Sequence, residues 1–167
     1  MVPETLNNMA LYVDGRGFAG RAPELSPPKL KIKTEDYRAG GMDAPVKIDQ
    51  GMEGLQAAFS MGSVERDVLK FFGLADNNAF NATFRGAFRD TRGKVKSVAL
   101  IMRGMLSEYD PGSWKPGSTS ELKYTAELTY YKAEIDGAVI CEIDVLNMIR
   151  IIDGVDQLAD VRKALGM

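Results

Sequence analysis

Histidine is absent from this sequence of 167 residues, and cysteine and tryptophan occur once each, as Cys141 and Trp114. Without histidine the chain cannot use a histidine base in a catalytic triad, a histidine-ligated zinc or haem, or a histidine pH switch. A single cysteine cannot form an internal disulfide, a thiolate metal cluster or a CxxC redox motif. Because a nucleophilic thiol needs a nearby base, Cys141 is better explained as a packed structural thiol.

A strong excess of one charge and a long apolar run are also missing. The chain carries 21 basic and 23 acidic residues, so bulk charge does not predict binding to nucleic acid or to an anionic membrane. The longest uninterrupted apolar run, Val98 to Met102, is far shorter than the roughly 18 residues of a membrane helix. The first residues resemble no secretory signal. We therefore expect a soluble protein made in the cytoplasm, with one domain over residues 1–167 and no membrane insertion.

No motif in the chain predicts catalysis or binding of a cofactor or metal. Gly15, Gly17 and Gly20 match the dinucleotide pattern GxGxxG, but prolines among residues 21–28 would break the helix that must follow. A glycine-rich hairpin turn is the better interpretation. Carboxylates that lie close in sequence (Glu108 with Asp110, Glu142 with Asp144, Asp153 with Asp156) fit solvated or strand-end charges. The sequence thus predicts a protein that is not an enzyme, without catalytic, cofactor or metal residues.

Period-two alternation of apolar and polar residues dominates the chain and predicts β-structure. In residues 120–136 the apolar face contains Leu122, Tyr124, Ala126, Leu128 and Tyr130, and Asp136–Gly137 then supplies a hairpin turn into residues 138–145. A second hairpin joins residues 79–88 to residues 94–106 through the turn at residues 90–93. Shorter strands are predicted at residues 9–13, 30–37 and 55–61.

Two segments fit helices. Ser63 is suited to cap a helix with an apolar stripe of Val64, Val68, Leu69, Phe71 and Phe72, which ends at Gly73. Near the end of the chain, Asp156 is suited to cap a helix with Leu158, Ala159 and Leu165 turned inward and Gly166 at its end. The predicted fold class is mainly β (α+β).

Two long segments are predicted as loops, residues 38–54 with four glycines and residues 108–121 with Trp114. Long loops in a compact domain often bind something, although a packed surface loop explains each of them equally well. Charges are also segregated: the charged residues among residues 84–103 are mostly basic, and those among residues 134–160 are mostly acidic. This pattern fits either docking between copies of the chain or two differently solvated faces.

Several motifs together resemble the major tail tube protein family of contractile phage tails and R-type pyocins. They are KTEDYRAGGMDAPVKIDQGME, EYDPGSWKPG, TYYKAEIDG and the ending EIDVLNMIRIIDGVDQLADVRKALGM, and they span nearly the whole chain in order. The resemblance implies two packed antiparallel sheets in a barrel-like sandwich, with a short helix and a C-terminal helix. It also implies hexameric rings that stack into a rigid tube within a sheath, for envelope penetration and passage of DNA or ions.

The resemblance also indicates partners and surfaces. The partners it implies are further copies of the chain, the sheath, the baseplate and terminator proteins, a tape measure in the lumen and, in a phage, non-specifically passing DNA. The particle would be a virion tail or a pyocin, made in the bacterial host cytoplasm. A monomeric β-sandwich that binds a ligand or glycan through Trp114 is the rival interpretation.

The candidates for ring stacking are Tyr37, Gly40, Gly41, Met42, Asp43, Pro45, Val46, Ile48, Met52 and Trp114, with a loop folded back on its own sheet as the alternative. The candidates for the lumen are Lys123, Thr125, Glu127 and Thr129.

Overall fold

A computed structural model describes residues 2–74 and 79–167 of the chain. Strands make up most of these residues, which confirms the predicted mainly β class. The strands are β1 (Thr5–Val13), β2 (Arg16–Gly17), β3 (Glu24–Ser26), β4 (Ile32–Tyr37), β5 (Val46–Met52), β6 (Leu55–Met61), β7 (Phe80–Arg89), β8 (Val95–Asp110), β9 (Leu122–Ile135), β10 (Ala138–Asp144), β11 (Ile149–Ile152) and β12 (Val155–Asp156), and the helices are α1 (Arg66–Leu69) and α2 (Ala159–Ala164).

Strand β9 organises the main sheet because it pairs with three neighbours. It pairs with β8 along nearly its whole length, with β6 over residues 122–128, and with β10 over residues 130–135. All of these pairings are antiparallel. The sheet continues from β8 through β7 and β1 to β2, and from β10 to β11 and β12, while β3 pairs with the outer side of β6.

The core lies between two parts of this sheet. The Phe59 ring on β6 lies with its centroid 5.6 Å from that of Phe80 and 5.7 Å from that of Phe84, both on β7. It also stacks on Tyr124 of β9 at 5.1 Å. Because β6 packs face to face on β7, the sheet folds over itself as a sandwich. This confirms the predicted barrel-like arrangement of antiparallel sheets.

The predicted alternation of β9 holds as far as Leu128 and is then shifted by a bulge. Leu128 is paired with Gly104 and Tyr130 with Arg103, so Thr129 is an extra residue in β9. The bulge turns Tyr131 inward instead of Tyr130: Tyr131 is buried, and Tyr130 is half-exposed. The prediction that Tyr130 shares the apolar face was therefore wrong, since an inserted residue exchanges the two faces of a strand.

The predicted turns are confirmed where aspartate and glycine supply positive φ. Asp136 and Gly137 have φ of 50° and 83° between β9 and β10. Asp14 and Gly15 have φ of 50° and 78° between β1 and β2. The GxGxxG match is thus a hairpin turn, as the prolines after it indicated.

Both helices are shorter than predicted. Helix α1 covers only Arg66–Leu69, and its N-cap is Glu65, with no side-chain cap bond, instead of Ser63. The chain leaves the helix at once because Phe72 makes a bridge with Leu106 of β8. Of the predicted stripe, Val68 is fully buried, whereas Val64 and Phe72 are exposed.

Helix α2 begins at Ala159, because Asp156 belongs to β12 and accepts a hydrogen bond from the Leu158 amide. The prediction of an inward face was wrong for Ala159 and Leu165, which are exposed in the subunit. Neither helix of the described residues is long and apolar enough to cross a membrane.

The predicted loop at residues 38–54 is mostly a β-hairpin. Strand β5 pairs with β4 from Tyr37↔Val46 to Ile32↔Met52, and only residues 38–45 connect the two strands. The alternation of Val46, Ile48 and Met52 indicates a strand in the sequence, but the glycines near both ends of the segment favour the prediction of a loop. The other predicted loop begins later than expected, since β8 continues to Asp110.

Candidate self-assembly surfaces

Four strands form a sheet with one face in the core and the other in solvent: β3, β6, the first half of β9 and the end of β8. We call it the β3–β6–β9–β8 sheet. Three of the predicted lumen residues, Lys123, Thr125 and Glu127, lie on its outer face, because Leu122, Tyr124 and Ala126 between them are buried. The fourth, Thr129, is exposed within the bulge at the end of this sheet.

The register brings further polar residues to the same outer face. Lys123 lies between Ser60 of β6 and Asp110 of β8, and Thr125 lies beside Glu108. The Gln56 amide donates a 2.7 Å hydrogen bond to the Glu127 carboxylate. The acids on this face are Glu24, Glu108, Asp110 and Glu127. Sequence reasoning missed the contributions of β3 and β8, since only the strand pairing places them beside β9.

Within the described residues, the β3–β6–β9–β8 sheet has an edge on each side that is largely unpaired. On one side, β3 pairs with no described strand other than β6. On the other side, β7 pairs with β8 only as far as Phe80↔Gly104, so the end of β8 from Met105 to Asp110 extends past it. Among the described residues, this part of β8 is covered by the bridge from Phe72 to Leu106, where the Gly73 amide donates a 3.0 Å hydrogen bond to the Leu106 carbonyl. Unpaired strand edges favour pairing with another chain.

The hairpin of β4 and β5 extends from the sheet with an exposed face that is apolar except for Glu35. Tyr37 pairs with Val46, and Glu35 with Ile48, so these side chains lie on one face. The exposed fractions of Tyr37, Val46 and Ile48 are 52%, 49% and 41%. These three residues are here called the hairpin patch. All three are predicted stacking residues.

The other predicted stacking residues of this segment have different surroundings. Met42 helps to close the turn: its carbonyl accepts a hydrogen bond from Arg38 Nε at 3.1 Å, and its amide donates to Ala39. Gly41 has φ of 85° there, which only glycine adopts at low cost. Met52, by contrast, packs against the core at the base of the hairpin. The remaining candidates in the turn, Gly40, Asp43 and Pro45, are all exposed.

An ion pair joins the hairpin to the body of the subunit. Arg150 Nη2 donates to Asp49 Oδ2 at 2.7 Å, and the Arg150 side chain points to the core side of β11, where it is 8% exposed. This hydrogen bond lowers the pKa of Asp49 below its usual value, with help from the Gly51 amide. Asp49 lies on the hairpin face opposite the hairpin patch, because its partner Thr34 alternates with Glu35. The patch therefore lies on the face turned away from this contact.

The loop that carries Trp114 is closed by local hydrogen bonds. Trp114 Nε1 donates to the Pro111 carbonyl at 2.9 Å, and the Gly112 amide donates to Asp110. The indole remains 63% exposed. Its only polar group is thus satisfied inside the loop, and the exposed part of the side chain is apolar.

Cys141 lies inside the subunit beside Tyr131, and burial raises the pKa of its thiol. A raised pKa disfavours the reactive thiolate, which supports the structural interpretation of this residue. In residues 2–74 and 79–167, no three cysteine, aspartate or glutamate side chains are grouped so that they could hold a metal ion.

Several of the segregated charges, but not Lys96, share one exposed face of the second part of the sheet. Arg85 of β7 pairs with Ala99 of β8, which pairs with Glu134 of β9. Lys132 contributes a 3.0 Å ion pair to Glu134 within this face. Basic and acidic bands are thus neighbours on one face. Both interpretations of these charges, docking between copies and two differently solvated faces, stay predictions.

Relatives of known type match the whole chain. The sequence model of the phage tail tube protein FII family matches residues 3–166. The tail tube protein of Escherichia phage P2 is 32% identical over 170 residues, which cover 99% of both chains. The major tail tube protein of Serratia phage KSP20 is 35% identical and covers 99% of this chain and 98% of its own length.

Solved structures share the fold at low sequence identity. A chain of the sheath–tube complex of an extracellular contractile injection system, PVC, has a TM-score of 0.58 at 11% identity and covers 79% of this chain and 91% of that one. A chain of the PVC sheath/tube terminator has a TM-score of 0.61 at 11% identity and covers 80% and 98%. A mostly polar outer sheet face, two strand edges that the described residues leave largely unpaired and an extended hairpin fit subunits that assemble. The full-length match gives the type: the chain belongs to the phage tail tube protein FII family.

Proposed function

We propose that this protein is the structural subunit of the inner tube of a contractile tail or a related injection particle. The observation that carries the proposal is the match to tail tube proteins over 99% of the chain at about a third identity. Its role would be mechanical and not enzymatic. The rival monomeric binding module is not favoured, because the relatives that match the whole length are tube proteins.

The open edges supply a means of ring closure. Each neighbouring pair in the β3–β6–β9–β8 sheet is antiparallel, so β3 and β8 run in opposite directions. The end of β8 in one subunit is therefore antiparallel to β3 of the next, and the alternation continues around the ring without a break. Closure of a sheet into a barrel removes its edges. A ring of six copies, as the family resemblance implies, would use this head-to-tail contact.

The outer face of this sheet would then line the lumen. Most of its residues are polar, with Met105 and Ala58 as the apolar exceptions, and the acids Glu24, Glu108, Asp110 and Glu127 outnumber Lys123. A water-filled channel needs such a wettable surface, and a wall without a basic excess holds the DNA backbone weakly. DNA or a tape measure protein could pass through it without sequence-specific contacts.

The partners would be those of a tail. The structural neighbours come from assemblies of sheath, tube and terminator and from a baseplate. We propose that the sheath surrounds the tube and that a baseplate and a terminator cover its two ends. The assembly would be part of a virion tail or a headless particle formed in the bacterial cytoplasm.

Hydrogen exchange on assembled and unassembled protein tests ring closure. Purified protein at high concentration should form rings or tubes in electron micrographs. The amides of β3 and of β8 residues 105–110 should gain protection on assembly, because new interstrand hydrogen bonds form there. The amides of β1 that bond to β7 within the subunit serve as the internal control and should change little. A strict monomer at all concentrations, or tubes without protection at the two edges, would contradict the proposal.

A further inference from the structure

An apolar groove of about 380 Å³ lies between β3 and the part of the sheet formed by β1, β7 and β8. Its side chains are apolar apart from Tyr131 and include those of Leu6, Met9, Leu25, Pro27, Phe84 and Phe88. Leu25 of β3 pairs with Phe59, whose ring lies in the core. The groove therefore lies on the core face of the β3–β6–β9–β8 sheet, at the edge that β3 forms.

Phe72 lies at the opposite edge of this sheet, on the same face. It bridges to Leu106 of β8, and the two side chains of a bridge point to one face of a sheet. Leu106 is fully buried in the core, so Phe72 also lies on the core face. Phe72 is nevertheless 50% exposed, because it projects past the edge of β8. We call residues 70–74 the Phe72 turn.

The proposed pairing of β3 with β8 of the neighbouring subunit brings Phe72 to the groove. The Phe72 turn already bonds to the Leu106 carbonyl, which leaves residues 107–110 of β8 for the three residues of β3. Because the two strands are antiparallel, the C-terminal end of β3 faces Leu106. Pro27 follows there, and it cannot extend the pairing because proline has no amide proton. The strand pairing thus ends where Phe72 of the neighbour lies, beside the groove residue Pro27.

The groove has the size and the chemistry to accept this side chain. A cavity of roughly 150 Å³ holds a benzene ring, so a groove of about 380 Å³ has room for the Phe72 ring and for part of its turn. Leu74 of the same turn is also apolar, and it is 40% exposed. A phenylalanine ring has no polar group that would be left unpaired on burial. Contact between the turn and the groove would therefore remove apolar surface of both subunits from water.

We infer that Phe72 of one subunit inserts into the apolar groove of the next subunit in the same ring. This inference rests on the proposed function, because it describes how proposed rings are held together. The occupant is a second copy of the chain, since Phe72 and β3 of one subunit lie four strand spacings apart, about 19 Å. The contact joins unlike sites on opposite edges, so it repeats head to tail and closes with the ring. It adds an apolar anchor to the hydrogen bonds between β3 and β8.

A double-mutant cycle on ring assembly tests the contact. Phe72→Ala should raise the protein concentration of half-assembly, measured by sedimentation, at least tenfold, since truncation of a buried aromatic anchor commonly weakens binding by that much. Leu6→Ala, at the exposed rim of the groove, should have a smaller effect in the same direction. The double variant should be weakened by much less than the product of the two effects, because both changes remove one contact.

Leu146→Ala provides the matched control for this cycle. Leu146 is 75% exposed and lies between β10 and β11, away from the groove and from the Phe72 turn. Its effect on assembly should multiply with that of Phe72→Ala, as expected for independent sites. Circular dichroism should show folded subunits in every variant, because Leu6, Phe72 and Leu146 are all exposed.

Cross-linking shows whether the contact lies within a ring. Phe72→Cys and Pro27→Cys would be combined with Cys141→Ser, and the assembled protein treated with a bismaleimide too short to span about 19 Å. Denaturing gels should show a ladder of linked subunits that ends at six copies, the number proposed for one ring. Each single variant, Phe72→Cys or Pro27→Cys, should give no ladder, because the contact joins unlike sites.

The outcomes separate this inference from the proposed function. Rings without cross-links, a ladder that continues past one ring, or Phe72→Ala and Leu6→Ala effects that simply multiply would overturn the inference and leave the tube function intact. Failure of the unaltered chain to form rings or tubes would overturn the proposed function, and this inference with it.

Discussion

Gly104 occupies a position where even one methyl group should disrupt the sheet. A Cβ atom added there would lie 2.0 Å from the carbonyl oxygen of Glu127 and 2.7 Å from the Cα atom of Leu128. Both atoms belong to the backbone of β9 at the bulge, so no side-chain rotation can relieve the contact. The substitution Gly104→Ala would have to push β8 and β9 apart.

The expected loss of unfolding free energy in Gly104→Ala follows from the position of the clash. Overpacking of a core usually costs about 1–3 kcal/mol of unfolding free energy. Because Gly104 is buried and the obstacle is backbone, we expect the upper end, about 3 kcal/mol. For a chain of this size each kcal/mol lowers Tm by roughly 2–4 °C, which gives a decrease of about 6–12 °C.

Gly40→Ala provides the matched control. A Cβ atom added at Gly40 meets no atom within 4 Å. Gly40 is also not one of the glycines with positive φ. Its replacement should leave stability unchanged or raise it by up to about 1 kcal/mol, because alanine restricts the unfolded chain.

Thermal and urea unfolding, followed by circular dichroism on dilute and unassembled subunits, would measure both variants. Dilution matters because assembly would add stability that depends on concentration. If Gly104→Ala unfolded at the same temperature as Gly40→Ala, the close approach of β8 and β9 at the bulge would be refuted. The assignment of Thr129 as the extra residue would then fail as well.

Three further predictions concern buried or paired groups. Asp49→Asn should speed hydrogen exchange in β4 and β5 while the core stays protected. Because the pKa of Asp49 is lowered, the ion pair contributes to stability above pH 3.8, and a pH series of exchange rates should show this contribution lost as the pH falls below that value. Cys141→Ser should leave tubes intact in micrographs, and in the unaltered protein a thiol reagent should react with Cys141 only after unfolding, because the thiol is buried. Tyr124→Phe should leave the stability against urea unchanged or higher, since the buried hydroxyl has no hydrogen-bond partner in the described residues. Burial raises the pKa of Tyr124 to about 12, so the neutral phenol favours the folded state below pH 10. This contribution to stability is lost as the pH rises towards 12, which a spectroscopic titration would test.

Local chemistry made much of the fold predictable. The Asp136–Gly137 and Asp14–Gly15 turns are fixed by the preference of these residues for positive φ, so neighbouring residues suffice to predict them. The alternation from Leu122 to Leu128 likewise identifies a half-buried strand before its partners are known. Such signals fail where a distant contact decides the outcome. The apolar stripe after Ser63 suits a long helix, yet the pairing of Phe72 with Leu106 ends that helix after one turn.

The sequence alone determined the mainly β class, the principal hairpins and the family resemblance, because these depend on periodicity, turn chemistry and motifs that are local in the chain. The tertiary structure decided which side chains share a surface. Only the register of β9 with β8 places Asp110 beside Lys123, and only the bulge at Thr129 exchanges Tyr130 for Tyr131 in the core. The ion pair of Asp49 with Arg150 joins residues about a hundred positions apart. Pairing across such distances depends on how whole strands pack, and no local pattern encodes it.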